Sequence, residues 1–213
     1  MRRIFFLIWI FLAGSSQAQE LNYKNALEAV QNLPQVQTSL PMPLLEKLRH
    51  GGLLLFFRHA KTPNYAAADD NNLENCATQR NLSKEGREQA QAIGAAFRDL
   101  EIPVGIVRAS PLCRTQDTAW LAFGHYERDD NMRLHGTNPA QDVEEAKIWR
   151  NLRNIAKILP LPGTNSVFIS HGTVGEAFGG KYLDEGEAII VEPDGQGAWH
   201  ILAQVKSDQW VAH

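Results

Sequence analysis

Three short predicted strands in this chain each end in residues suited to holding an anion. Leu53 to Phe57 leads into Arg58-His59. Val104 to Arg108 leads into Ser110 and, a turn later, Arg114. Ser166 to Ser170 leads into His171. A guanidinium is a planar fork that matches phosphate oxygens, and an imidazole can be a donor, a metal ligand or a nucleophile. Two arginines and two histidines therefore suit a phosphoryl group. A metal centre fits less well, because His59 and His171 have no ligand partners at local spacing and no Asp-rich cluster accompanies them. His50, His125, His135, His200 and His213 read as structural. No G-x-S-x-G elbow is present, which disfavours a serine hydrolase.

These residues meet only if the elements behind them form one sheet. The run from Leu53 to Phe57, opened by Gly51-Gly52, reads as a strand buried on both faces. Residues 60–82 are rich in Asn, Asp and Ala and read as a long loop. Ser83 caps a helix to about Leu100, with Ala90, Ile93, Phe97 and Leu100 on one face. Val104 to Arg108 is a second strand, and Ser110-Pro111 opens a helix to about Phe123. Residues 125–141 form another loop, and Val143 to Leu159 a helix stopped by Pro160 and Pro162. Ser166 to Ser170 is a third strand, followed by a short helix from Thr173 to Phe178. Two strands near 187–192 and 198–205 close the chain as a hairpin around Asp194-Gly195 and Gly197. Alternating strands and helices imply an α/β three-layer sandwich with a mostly parallel, mixed sheet. Ligands of such sheets collect beyond the carboxyl ends of the strands, where helix N-termini add N–H donors.

The motifs, taken in order, resemble those of one family. Arg58-His59-Ala60-Lys61-Thr62 is similar to the R-H-G/A-x-T signature of the histidine phosphatase superfamily, the phosphoglycerate-mutase-like fold. Ser110 to Ala119 resembles its second motif, Ser170-His171-Gly172 its third, and Asn81 to Gly86 the L-T/S-x-x-G segment before its first long helix. The resemblance covers about Leu53 to Leu202 and points to an exported bacterial branch. It implies His59 as a nucleophile that forms a phosphohistidine, with Arg58, Arg114 and His171 binding the phosphoryl oxygens. It implies no metal and no cofactor. The expected activity is a phosphomonoester hydrolase acting on an exported or envelope phosphorylated substrate. A phosphomutase and a non-catalytic phosphate-binding module are the alternatives.

One part of the family pattern is missing. The mutase-like branch has a glutamate after a mid-chain R-L pair, but here Arg133-Leu134 precedes His135-Gly136-Thr137. The acid-phosphatase branch has an aspartate after its last histidine, and here that residue is Gly172. Glu144, Glu176, Glu185 and Glu187 remain as candidate general acids, with Glu187 favoured because it opens a strand close to the third motif. If none serves, substrates with good leaving groups are expected, such as phosphohistidine or acyl phosphates. Thr62 and Asn64 follow the nucleophile and are further candidates for binding phosphate.

The chain's beginning has a different character. Arg2 and Arg3 precede an apolar run of ten residues, Ile4 to Ala13, too short to span a membrane. Ser16-Gln17-Ala18 then supplies small residues at the positions of a signal-peptidase site. A signal peptide of residues 1–18, cleaved after Ala18 for a periplasmic or secreted product, is expected. Its removal takes the formal net charge from −3 to −5. Residues 19–50 read as a lead-in, with a helix over Leu21 to Leu33 and breaks at Pro34, Pro41 and Pro43. Residues 51–213 form the phosphatase domain. In an oxidising compartment Cys76 and Cys113 are expected to pair, worth ~3–4 kcal/mol, with two free thiols as the alternative. The 213 residues, 44% hydrophobic and 21% charged, suit one folded domain rather than a disordered or nucleic-acid-binding chain. The expected partner is a small phosphorylated substrate, with no nucleic acid and no membrane span; oligomeric state is left open.

Overall fold

The computed structural model describes residues 39–63, 72–133, 151 and 154–210. Six strands form one sheet in the order β3-β2-β4-β1-β5-β6. They are β1 Leu54–Arg58, β2 Val104–Ala109, β3 Glu127–Arg128, β4 Asn165–Ser170, β5 Ala188–Pro193 and β6 Trp199–Val205. The β1–β4, β2–β4 and β2–β3 pairs are parallel, and β5 runs antiparallel to both β1 and β6. The fold is thus the mixed, mostly parallel α/β sandwich of the phosphoglycerate-mutase-like class. β4 is buried along its whole length and β1 through Phe57, which explains why β1 reads as an unbroken apolar run rather than an alternating one.

The two faces of β1 enter different cores. Leu55 and Phe57 pack with Ile93, Phe97 and Trp210, while Leu54 and Phe56 pack with Ile155, Val174 and Phe178. The first core is covered by α1 Met42–His50, α2 Lys84–Asp99, α3 Cys113–Phe123 and α5 Ser207–Trp210. The second holds α4 Thr173–Ala177 and residues 154–156, which are also helical. Among the described residues no helix is long and apolar enough to cross a membrane.

Several boundaries differ from expectation, each for a local reason. Pro41 and Pro43 do not break the chain; Pro41 caps α1 and Pro43 stands in its first turn, where a missing N–H costs no hydrogen bond. Leu45 and Leu48 of that helix are buried, so the end of the lead-in belongs to the core. Asn165 secures it, donating to Leu48 O at 2.7 Å and accepting from Leu53 N at 3.2 Å. α3 starts at Cys113 rather than at Ser110-Pro111, because Thr115 turns its hydroxyl onto the Ser110 and Leu112 carbonyls, each at 2.6 Å. The short β3 lies in the expected 125–141 loop. Most of the 143–159 helix, residues 1–38 with the expected signal peptide and Leu21–Leu33 helix, Asn64 and Glu144 lie outside the described residues.

α2 starts as its sequence predicts. Ser83 caps it, accepting from Gly86 N at 3.0 Å, and the Ser83 N–H donates to Lys61 O at 3.0 Å. A β-carbon on Gly86 would strike that same Lys61 carbonyl, so glycine lets the helix start close against the segment that follows His59.

Candidate active site

The parallel register of β1 and β4 pairs Arg58 with Ser170, so the next residues, His59 and His171, leave the sheet side by side. Their ring centroids are 5.8 Å apart with the planes at 67°. The main chain around the first histidine is tied down on several sides. Arg58 N donates to Glu187 O at 2.9 Å, His59 N to Ser170 O at 3.0 Å, and Gly186 N to His59 O at 3.0 Å. The Ala60 N–H donates to Thr118 Oγ1 at 3.0 Å, and the Thr118 hydroxyl donates to Arg114 O at 2.7 Å. Thr118 therefore couples the His59 segment to the helix that carries Arg114.

His59 is 1% exposed, and its Nδ1 lies 2.8 Å from Ala60 O. A carbonyl can only accept, so the proton sits on Nδ1 and the lone pair on Nε2. Burial, then the positive charge of Arg114, push its pKa well below the usual 6.5, with smaller downward contributions from His171 and Arg58. The imidazole is thus neutral at physiological pH, the form a nucleophile requires.

Arg114 projects from the first turn of α3 and is 5% exposed, with Nη2 3.5 Å from His171 Nδ1. The other nitrogen of that ring, Nε2, faces Ser110 Oγ at 3.0 Å. Ser110, which its sequence position suggested as a helix cap, is thus a partner of His171. Arg58 is held from three sides. Its Nη1 donates to Leu183 O at 3.0 Å, its Nη2 lies 3.5 Å from Glu185 Oε1, and its guanidinium carbon stands 5.3 Å from the centre of the Tyr182 ring.

These side chains line an inner cavity of about 150 Å³, formed by Arg58, His59, Arg80, Arg114, His171, Gly172, Thr173 and Tyr182. All four residues of the sequence-derived tetrad are present, together with three that the sequence did not single out: Arg80, Thr173 and Tyr182. A larger cavity of about 670 Å³ adjoins it, lined in part by Lys61, Thr62, Glu185, Glu187 and Lys206, with Arg58 and Arg80 common to both. Thr62 and Glu187 face this outer space and do not line the inner one. The Thr62 hydroxyl donates to Glu185 Oε1 at 2.7 Å, and Glu187 Oε2 accepts from Asp184 N at 2.6 Å. Both are occupied in shaping the 184–187 turn. Among the described residues no carboxylate lines the inner cavity.

Cys76 and Cys113 form a disulfide with Cα atoms 5.7 Å apart. It joins the 3-10 turn Cys76–Thr78 to the start of α3. Buried Gln79 reinforces the join by accepting from Cys113 N at 2.9 Å. Arg80 follows directly, and its proximity to Arg114 becomes legible once the two cysteines are taken as a pair.

A buried neutral histidine ringed by arginines, at the carboxyl ends of parallel strands, is an arrangement chemically suited to a phosphoryl group. The family model of the histidine phosphatase superfamily (branch 1) matches residues 54–135, a span that holds Arg58, His59, Arg80 and Arg114. Over that span the chain shares the sequence pattern of the histidine phosphatase superfamily. Its fold is similar to that of the protein histidine phosphatase SixA complexed with tungstate, at 15% identity and a TM-score of 0.50, covering 73% of this chain and 97% of the other. It is also similar to TTHB049 from Thermus thermophilus, at 18% identity and a TM-score of 0.51, covering 72% and 99%. Comparison with the curated proteins finds no match.

Proposed function

We propose that this protein is a metal-independent phosphatase that transfers a phosphoryl group from its substrate to His59 Nε2 and then to water. The observation that carries the reading is the Nδ1–H to Ala60 O hydrogen bond, which leaves the Nε2 lone pair on a neutral ring beside Arg58, Arg114 and His171. In the first step the Nε2–P bond forms while the bond to the leaving group breaks, its electron pair departing with that group. In the second, water attacks phosphorus and the P–N electrons return to Nε2. Arg58, Arg114 and His171 hold the non-bridging oxygens and stabilise the charge spread over them in both transition states.

The absence of a carboxylate from the described lining of the inner cavity favours substrates whose leaving group departs readily, such as phosphohistidine or acyl phosphates. The fold shared with a protein histidine phosphatase is in keeping with that class. We place the enzyme outside the cytoplasm, in the periplasm or secreted, after cleavage following Ala18. The Cys76–Cys113 disulfide supports that placement, since such bonds persist in oxidising compartments. The test is hydrolysis of p-nitrophenyl phosphate and acetyl phosphate in EDTA. Turnover by the wild type that disappears in His59→Ala supports the reading. Phosphate binding without turnover on either compound would instead favour an anion-binding module.

A further inference from the structure

We propose that Arg80 acts on the leaving side of the substrate, stabilising the negative charge that develops on the departing atom where relatives would use a carboxylic acid. The proposal rests on the phosphohistidine reading above and assigns a residue to the step which that reading leaves unassisted.

Placement is the first argument. The inner cavity has room for a phosphoryl group, and the outer one for the remainder of the substrate. The bond that breaks must cross the border between them. Arg58 and Arg80 are the described residues that line both cavities. Arg58 ends β1 and adjoins His59 in sequence, so it sits on the nucleophile's side of that border. Arg80 comes from a different wall, the loop that precedes α2.

Rigidity is the second. Arg80 stands between Gln79, which is bonded to the Cys113 main chain, and Leu82, which is buried with Ala60 and Ala90. The disulfide and the Asn81 Nδ2 to Cys76 O hydrogen bond at 2.6 Å hold the same turn. Two ties, the disulfide and the Gln79 hydrogen bond, bring Arg80 into fixed relation with the start of the Arg114 helix, and the Asn81 bond stiffens the turn between them. Such preorganisation is what transition-state charge stabilisation requires, since a donor that must first be ordered loses much of its effect.

Chemistry is the third. A guanidinium does not release its proton at accessible pH. As P–O cleavage proceeds, the electron pair collects on oxygen, Arg80 stabilises it by a charge-assisted hydrogen bond, and water supplies the proton after departure. This assistance counts most where the departing oxygen is most basic, and the charged outer cavity suits a leaving group of polar character.

The experiment is a leaving-group series. Wild type, Arg80→Ala and Arg80→Lys are assayed on aryl phosphates of increasing phenol pKa, with the disulfide and Tm verified for each. The expected result is a steeper fall of kcat/KM with leaving-group pKa in Arg80→Ala. Its loss relative to wild type should be on the order of 10²-fold on the poorest leaving group and much smaller on the best, with Arg80→Lys between. Parallel lines for wild type and both variants would overturn the proposal, because a purely structural or ground-state role lowers all substrates alike. A wild type without turnover, or with turnover that survives His59→Ala, would overturn the phosphohistidine reading itself and this proposal with it.

Discussion

The ring of Tyr182 occupies the space that a β-carbon on Gly172 would need. An acid directly after the last histidine would require that space; here it is filled by an aromatic ring packed on the Arg58 guanidinium. An acid at 172 and Tyr182 in its present place therefore exclude each other. Gly172 has a backbone φ of −59°, which any residue can adopt, so its restriction to glycine is steric rather than conformational.

Gly172→Ala should accordingly displace the half-exposed Tyr182 ring from the Arg58 guanidinium, lowering activity and costing up to about 1 kcal/mol of stability. Tyr182→Ala in the same molecule should relieve most of the stability loss. A double-mutant cycle on Tm reads the coupling directly, and additive effects would show that the two residues do not compete for space.

Thr118 makes a second long-range coupling, from α3 to the main chain beside His59. Thr118→Val keeps the shape and removes the hydroxyl, leaving the Ala60 N–H buried without its partner. The expected cost is ~1–3 kcal/mol in stability. kcat should fall more than KM rises, because the N–H that loses its partner lies next to His59, the proposed nucleophile, whereas the Arg114 carbonyl stays within its helix. Thr118→Ser, which keeps the hydroxyl, should restore both. Equal behaviour of the Val and Ser variants would contradict the role.

The disulfide spans a sequence separation of 37, for which chain entropy gives ~3–4 kcal/mol. The Cys76→Ala/Cys113→Ala variant should lose about that much in denaturant unfolding. It should also lose turnover under conditions where it remains folded, since the bond holds Arg80 and Arg114 in fixed relation. Unchanged turnover would confine the bond to stability.

His59 makes the molecule sensitive to acid. Its folded-state pKa is depressed, so between the unfolded value near 6.5 and the lower folded value the unfolded chain binds more protons. This contribution makes stability decline as pH falls through that window and leaves it flat above. Replacing His59 with Phe should flatten the Tm profile below pH 6.5. The acid limb of kcat/KM should likewise lie below 6.5, where Nε2 becomes protonated.

Much of this site is written locally in the chain. Arg58-His59, Arg114 and His171 follow the ends of three strands, of which β1 is a continuous apolar run covered on both faces, and the parallel register of β1 and β4 then leaves little freedom in where the histidines go. Cys76 and Cys113 were legible as a pair from their number and the N-terminal run before them. Arg80 and Tyr182 were not, because each reaches the cavity through a turn whose path depends on distant contacts: the disulfide in one case, and Leu183 against Gly175 and Phe56 in the other. Glu187 was favoured for its nearness in sequence to His171, but its carboxylate closes the turn at Asp184 and faces the outer cavity. Pro41 and Pro43 show the same limit, since a proline that breaks one helix also starts the next.

The most direct test of the central claim is to trap the phosphorylated enzyme. Wild type is mixed with acetyl phosphate in EDTA, quenched in base within the first turnovers and analysed by mass spectrometry with fragmentation. The account predicts a single base-stable, acid-labile phosphoryl group on His59, absent in His59→Ala. Turnover without any phosphorylated intermediate, or with the group on another residue, would contradict it.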